Sequence, residues 1–375
     1  MIIGIPIFNL AGGGMHHLLQ ILKSANPKKD GFSKIIIWGN SSSLDLIQNE
    51  DWIIKKNSFL LEYNILVKYL WQRFILKYEC IKHDIQILFI PGQIYTGNFE
   101  PFVCISQNAL PFEKSEYDLY KYNLFYFKLL IIRYLQIKTF KNSKGIIFIS
   151  DYGKKLVERF YNFKNKSYKI IPHGIDKRFY QEPKTQLKIS KYSKGNELKI
   201  IYISTIDYYK HQDKVVEVVA AIINEGLHIS LDLYGAYYKP AYRKLIKKLN
   251  KIEKNKLKIS YLGEIKFNEM HKIYHSADLF LYASSCENLP LILLEAMASG
   301  LPILSSNSEP MFEVLGHSTP LFNPRDIFDM KQKLSLFLND EILRRESAVK
   351  THLLSKKYNW QVCSNETFAY LKLLI

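Results

Sequence analysis

The segment Ser284 to Leu304, SSCENLPLILLEAMASGLPIL, carries two carboxylates, Glu287 and Glu295, eight positions apart in an otherwise almost wholly apolar run. Such a run belongs inside a protein, where a carboxylate is costly unless something pairs with it. Pro290 favours a helix start and disfavours helical geometry at Leu289 before it. A helix is therefore predicted from about Pro290 to Ser299, ending at Gly300 with Pro302 beyond. Glu287 then sits in the loop after the strand DLFLYAS, and Glu295 lies about a turn and a half into the helix. The amides from Asn288 and Leu289 to Leu291, together with the helix dipole, suit an anion such as phosphate. Two carboxylates close by suit hydroxyl groups. An anion with hydroxyls describes a sugar nucleotide. The plainer alternative is a surface glutamate between buried neighbours, because an isolated E-x7-E spacing is common.

The elements that must position these groups are short apolar runs alternating with helical patterns. Strand candidates are 2–8, 34–39, 85–91, 101–106, 145–150 and 168–174, then a second series at 198–205, 229–235, 258–264, 277–284 and 301–306. Flat Ile/Val/Phe runs separated by helices imply a parallel sheet covered on both faces. Between the series, 176–197 is polar and Lys-rich, and reads as a linker. Two α/β domains follow, with a boundary near 174–197. Ligands of such sheets bind outside the carboxyl ends of the strands, so the expected site is the cleft between the two domains.

The run ENLPLILLEAMASGLPIL resembles the E-x7-E signature of the family 4 glycosyltransferases. Segments YHSADLFLYASSCE, FISDYGKKLVERF, KIIPHGIDKRF and ISTIDYYKHQDKVVEVV resemble other parts of that family, and the likeness is strongest over 145–315. The resemblance implies an α/β GT-B fold, two Rossmann-like domains facing an interdomain cleft. An acceptor domain would cover 1–175, a nucleotide-sugar donor domain 176–357, and a C-terminal helix, 358–375, would cross back to the first domain. It also implies retaining, metal-independent transfer with no cofactor. By that likeness Glu287 contacts the donor sugar, Glu295 binds the ribose hydroxyls, and Lys210 matches the phosphate-binding lysine. Asn288, Leu289, Pro290 and Leu291 would line the sugar and diphosphate, although Pro290 has no N–H to donate. Glu287 and Lys210 are the expected catalytic pair. NLAGGGMHHLLQIL (9–22) fits the family's glycine-rich first loop, with Gly12, Gly13 and Gly14 following the first strand and preceding a helix. It is not the G-x-G-x-x-G dinucleotide fingerprint. His16 and His17 open that helix, and packed or surface positions are expected for them.

Two departures bear on mechanism. Many relatives carry Arg five residues before the phosphate lysine; here that donor-site position is Thr205. Many carry a histidine near the acceptor; here Gln107 and Asn108 occupy that region. Both can hydrogen-bond a sugar, but neither is a general base at neutral pH. That suits a mechanism in which the leaving diphosphate takes the acceptor proton. The expected reaction moves a hexose-class sugar to a growing surface glycan of the O-antigen, capsule or lipopolysaccharide type, lipid-linked in one version.

The chain has 375 residues and a net charge of +17, with 52 basic residues of which eight are Arg. The excess favours acidic partners: phosphorylated small molecules, an anionic membrane surface or nucleic acid. No stacking motif supports specific nucleic-acid binding. The four cysteines, Cys80, Cys104, Cys286 and Cys363, follow no metal spacing and read as reduced thiols of a cytoplasmic protein. The N-terminus reads as a strand and not as a secretion signal, and no run is long enough for a membrane span. Residues 116–145 interleave Tyr, Phe, Leu and Ile with six Lys or Arg. They read either as a helix half-buried in its domain, or as an interfacial patch for the inner face of a membrane. The rival functions are a sugar-nucleotide epimerase or glycan phosphorylase on the same fold, and a non-enzymatic basic binding protein.

Overall fold

The computed structural model describes residues 1–8, 10, 12–253 and 257–375. The chain forms two compact units, Met1–Gly174 with Asn359–Ile375, and Ile175–Tyr358. Unit 1 contains β1 (Ile2–Ile7), β2 (Lys34–Gly39), β3 (Ile53–Asn57), β4 (Ile87–Ile90), β5 (Phe102–Ser106), β6 (Gly145–Phe148) and β7 (Ser167–Ile170). They form one sheet in the order β3-β2-β1-β4-β5-β6-β7, with every pairing parallel. Unit 2 contains β8 (Leu198–Ile203), β9 (Ile229–Tyr234), β10 (Ile259–Tyr261), β11 (Leu279–Tyr282), β12 (Ile303–Ser306) and β13 (Leu321–Phe322). Its sheet runs β10-β9-β8-β11-β12-β13, also all parallel. The central strands β4, β5, β6, β11 and β12 are buried along their whole length, as the flat apolar runs require.

In each unit the first strand is central. The chain lays two strands to one side, then returns to lay the rest on the other. The strand order therefore reverses between β1 and β4, and between β8 and β11. The loops leaving such a pair diverge, and ligands of open α/β sheets collect there. In unit 2 those two loops carry Lys210 and Glu287.

Two strands escaped the sequence reading. Ile53–Asn57 ends in two lysines and an asparagine, and it is an edge strand only half-buried, so it lacks a flat apolar run. Lysines on an edge discourage pairing with a further chain. Leu321–Phe322 is too short to show a period. Residues 116–145 are not one helix. A short helix Lys114–Tyr117 and a 3₁₀ turn Asp118–Tyr120 precede the helix Leu124–Asn142. The break falls at Tyr122, whose φ of 72° is left-handed, and the Asn123 side chain caps the new helix by accepting from the Phe125 amide. The glycines Gly12, Gly13 and Gly14 do not precede the first helix but form its first turn, Gly12–Lys23, with Gly12 at φ 52°. Asn9 and Ala11 of that loop lie outside the described residues.

The last helix, Trp360–Leu373, packs within unit 1. Asn359 caps it through the amides of Gln361 and Val362. Ser364 donates to Ile21 O at 2.9 Å, and the hydroxyls of Ser167 and Tyr370 meet at 2.9 Å. Gly174 lies so close beneath the helix start that a Cβ there would stand 2.1 Å from Trp360 N and 2.6 Å from the Asn359 carbonyl carbon. These are backbone atoms and cannot swing aside. Gly174→Ala is therefore expected to destabilise unit 1 by about 3 kcal/mol, the upper range for overpacking. Differential scanning calorimetry would read this as a loss of several degrees in Tm.

Candidate functional site

The site in unit 2 grows from the two loops at the β8–β11 switch. After β8, Asp207 accepts from the Tyr208 amide at 2.7 Å and starts the 3₁₀ turn Tyr208–Lys210. His211 follows in the left-handed region, φ 54°, which turns the chain into the helix Gln212–Asn224. Tyr202, in β8, donates its hydroxyl to Lys210 O at 2.6 Å. After β11, Ser285 donates its amide to Tyr209 O at 2.8 Å, and its hydroxyl to the same oxygen at 3.1 Å. His211 Nε2 lies 2.9 Å from that hydroxyl, which, already donating, accepts from the imidazole. Burial pushes the His211 pKa down to about 4, so this ring is neutral at pH 7. The two loops are thus sewn together by backbone and side chain.

Lys210, 6% exposed, forms an ion pair with Glu287. The Tyr282 hydroxyl donates to the same carboxylate oxygen and stands 3.4 Å from the Lys210 ammonium. That ammonium also lies over the rings of Tyr209 and Tyr282, 4.9 and 5.6 Å from their centroids. Such faces attract a cation in a desolvated setting. Burial, followed by the Glu287 charge, holds the Tyr282 phenol well above its ordinary pKa, so it remains a donor.

Pro290 stands at the N-cap position of the helix Leu291–Ala298 in extended geometry, with no side-chain hydrogen bond to the helix. The first amide bonded back is that of Leu293, to Pro290 O at 2.9 Å, so the amides of Leu291 and Ile292 precede the ladder. Gly300 ends this segment at φ 63°, and a Cβ there would stand 2.6 Å from Gln181 O. Glu295 is 4% exposed, and Tyr274 donates to its Oε2 at 3.2 Å. Burial pushes its pKa up to about 8, against the Tyr274 hydrogen bond and the Arg178 charge, with Asp176 adding to the rise. Arg178 lies over the Phe267 ring at 3.9 Å, and its Nε is 3.6 Å from Asp176. Its buried Nε and Nη2 have no hydrogen-bond partner among the described residues.

The structure brings together Lys210 and Glu287, and places Asn288 and Leu289, both buried, between them and the helix. Glu295 belongs to a second cluster with Tyr274 and Arg178. Thr205 is exposed at the end of β8, and its carbonyl accepts from Gln212 Nε2 at 2.9 Å. In unit 1, Gln107 Nε2 is 3.0 Å from His17 Nδ1, and a Cβ on Gly14 would stand 3.4 Å from Gln107 Oε1. Asn108 accepts from the Leu110 amide and so shapes its own turn. His17 is packed, as expected: it is fully buried, stacked on His173 at 4.3 Å, and its pKa is pushed down to about 3 by burial and then by His16. The four cysteines are buried. Among the described residues no three His, Cys, Asp or Glu side chains gather to hold a metal ion, and no helix is long and apolar enough to cross a membrane.

Sequence reasoning missed Tyr282, Tyr274 and Arg178. Tyr282 ends a core strand, and a buried phenol needs a partner. Arg178 is one of eight arginines among 52 basic residues, and in a chain that otherwise uses lysine an arginine marks a stacked or forked contact.

Residues 184–351 match the family described as Glycosyl transferases group 1. The O-antigen chain mannosyltransferase B of Escherichia coli is 29% identical over 116 residues, 31% of this chain and 30% of that protein. The chain spans about half the length, or less, of the curated relatives it matches. Among solved structures, Anabaena HepE in complex with UDP-glucose aligns at 13% identity and a TM-score of 0.70, covering 99% of this chain and 98% of that one. WaaG, a glycosyltransferase involved in lipopolysaccharide biosynthesis, aligns at 14% identity and a TM-score of 0.69, covering 98% and 99%. The fold is therefore α/β of the GT-B type, with two Rossmann-like domains.

Two expectations follow from the site. Lys210→Met leaves the half-buried Glu287 without its cation, which should cost about 2 kcal/mol; adding Glu287→Gln should recover part of it in urea titrations. The second concerns pH. The carboxyl of Glu295 binds its proton more tightly in the folded chain, about 8 against 4.5. Its contribution to stability is full below pH 4.5 and is lost as pH rises through 8. Stability relative to Glu295→Gln should therefore fall across that window and level off above it, measured by denaturation at each pH.

Proposed function

We propose that this protein is a retaining, metal-independent glycosyltransferase of family 4. It moves a hexose-class sugar from a nucleotide-diphosphate sugar to a growing surface glycan, lipid-linked or free. The observation that carries the reading is the Lys210–Glu287–Tyr282 cluster, in which a buried lysine meets a half-buried glutamate just before a helix that buries Glu295. The group 1 match over 184–351 supports it, since it spans all of these residues.

Lys210 and the amides of Leu291 and Ile292 hold the diphosphate, and their charge stabilises it as it departs. Thr205 leaves one cation fewer at this end, so Lys210 carries more of the task. Glu287 accepts from sugar hydroxyls and shares Lys210 with the phosphate. Asn288, Leu289 and Pro290 line the sugar, and Glu295 accepts from the ribose hydroxyls. The bond from the anomeric carbon to the diphosphate oxygen breaks. The acceptor oxygen bonds to that carbon on the same face, and the leaving diphosphate takes the acceptor proton. Gln107, Asn108 and Gly12 to Gly14 serve the acceptor side through hydrogen bonds and close backbone approach. The site of action is the cytoplasmic face of a membrane.

The test is a thermal-shift screen with UDP, GDP, ADP, CMP and dTDP. Saturation at 100-fold the Kd stabilises by about 2.7 kcal/mol. One diphosphate should stabilise the protein, and Glu295→Ala should abolish both that gain and transfer. A fully active Glu295→Ala overturns the reading. A free sugar released without acceptor would favour the epimerase.

A further inference from the structure

Glu295 is 4% exposed, and the one hydroxyl that faces it is divided between two acceptors. Tyr274 has a single phenolic hydrogen, with Ile292 O at 3.0 Å and Glu295 Oε2 at 3.2 Å both within reach. A proton on Oε2 ends the competition. The carboxyl then donates to the phenol oxygen, and the phenol donates to Ile292 O. Each group has its bond, and no carboxylate charge is buried. The pKa agrees with this geometry, since burial pushes it up to about 8. Burial, followed by the Glu295 charge, holds Tyr274 well above its ordinary pKa, so the phenol keeps its hydrogen throughout.

Arg178 is the opposite case, a cation held in place with donors to spare. Its guanidinium lies over the rings of Phe267 and Phe179, 3.9 and 5.3 Å from their centroids. Asp176 stands 3.6 Å from its Nε, which is near enough to pair charges but too far for a hydrogen bond. The buried Nε and Nη2 have no hydrogen-bond partner among the described residues. The Arg178 charge favours the carboxylate form of Glu295, and Asp176 opposes it. The helix Leu291–Ala298 carries no other titratable side chain. Its neighbours bring three histidines. His271 and His275 lie on the helix Met270–Ser276, with His275 Nε2 3.1 Å from Phe179 O. His352, on the helix Glu341–Ser355, is 3.1 Å from Ala298 O and 3.6 Å from Glu182. Burial, then Arg178, pushes His271 below its ordinary pKa. Lys177 and Lys272 are exposed.

Granted the donor reading of this site, we propose that ribose binding expels the Glu295 proton, and that Arg178 is the cation that balances the charge left behind. The step is a simple exchange. Two vicinal hydroxyls donate to the carboxyl oxygens, the carboxyl O–H bond breaks, and its proton passes to the solvent. Hydrogen bonds donated to a carboxylate favour the charged form, and a nearby guanidinium favours it further. Arg178 acts through Glu295 and is a positioning residue. The empty site is neutral at this end, which makes it cheap to bury, and the charge appears only when a diol is there to take it. A ligand without the diol leaves the carboxyl protonated, so the exchange also selects ribose over deoxyribose.

The experiment is titration calorimetry of the full chain with UDP-glucose, GDP-mannose and ADP-glucose, whose diphosphate diesters do not titrate near neutrality. Each is run in two buffers of different ionisation heat, which counts the protons exchanged. At pH 7 binding should release about 0.9 proton, the fraction carried by a group of pKa about 8. Kd should fall by up to roughly tenfold per unit as pH rises towards 8, and level off above it. The 2′,3′-dideoxy analogue should release none, and Glu295→Gln should flatten the profile to whatever the three histidines contribute. Arg178→Met should move the break above pH 8, and Arg178→Lys should bring it back in part. A lower Tm with an unmoved break would make Arg178 merely structural and overturn its part. Infrared difference spectra of the empty protein at pH 7 should show a protonated-carboxyl band that Glu295→Gln lacks; without that band the proposal fails whatever binds. Binding with no proton released, or with equal release from the dideoxy analogue, overturns the proposal and leaves the transferase reading standing. Failure of all three sugar nucleotides to bind overturns both.

Discussion

Unit 2 turns on one buried interaction, the Lys210–Glu287 pair. Each charge alone would be expensive in the apolar surroundings that the fold supplies. Together, with the Tyr282 hydroxyl on the carboxylate and tyrosine rings beside the ammonium, they are tolerated. The pair can form because β8 and β11 are neighbours, and because Ser285 ties the loop after β11 to Tyr209. The left-handed His211, neutral and hydrogen-bonded to Ser285, then fixes where Lys210 stands relative to the helix that follows.

Glu295 shows the same physics with a different outcome. It has a phenol and a stacked arginine nearby but no direct ion pair among the described residues, so burial prevails and its carboxyl holds a proton near neutrality. Two glutamates from one stretch of chain therefore have different partners. Glu287 is matched to a cation. Glu295 has a weaker set, in which Arg178 acts from within a stack on Phe267. An arrangement of this kind suits a ligand with an anionic end and a hydroxyl-bearing end, as in the proposed donor.

Unit 1 carries the complementary lesson. Its sheet is as regular as that of unit 2, yet its helices send glutamine inward beside Trp71, Leu129 and Phe140, and carry further leucine, phenylalanine and tyrosine outward. The loop 93–96 explains the inward half: its amides need partners that neighbouring strands do not supply, and Gln72 and Thr139 provide them.

The parallel sheets, the order of elements and the helix Leu291–Ala298 were legible in the sequence, because flat apolar runs and Pro–Gly punctuation are local signals. Glu287 and Glu295 were legible as candidates for the same reason: a carboxylate in an apolar run stands out wherever it folds. Ile53–Asn57 was not, because an edge strand half in water needs no continuous apolar run. Neither was the break at Tyr122, where a left-handed residue stands without a glycine to mark it. Tyr282, Tyr274 and Arg178 came to light only in the tertiary structure, since their parts depend on which loop lies beside which strand. The same holds for the polar side chains that the helices send in to the loop 93–96. Sequence periodicity tells which residues share a face, but only packing decides which face meets water, because burial is a property of what lies opposite.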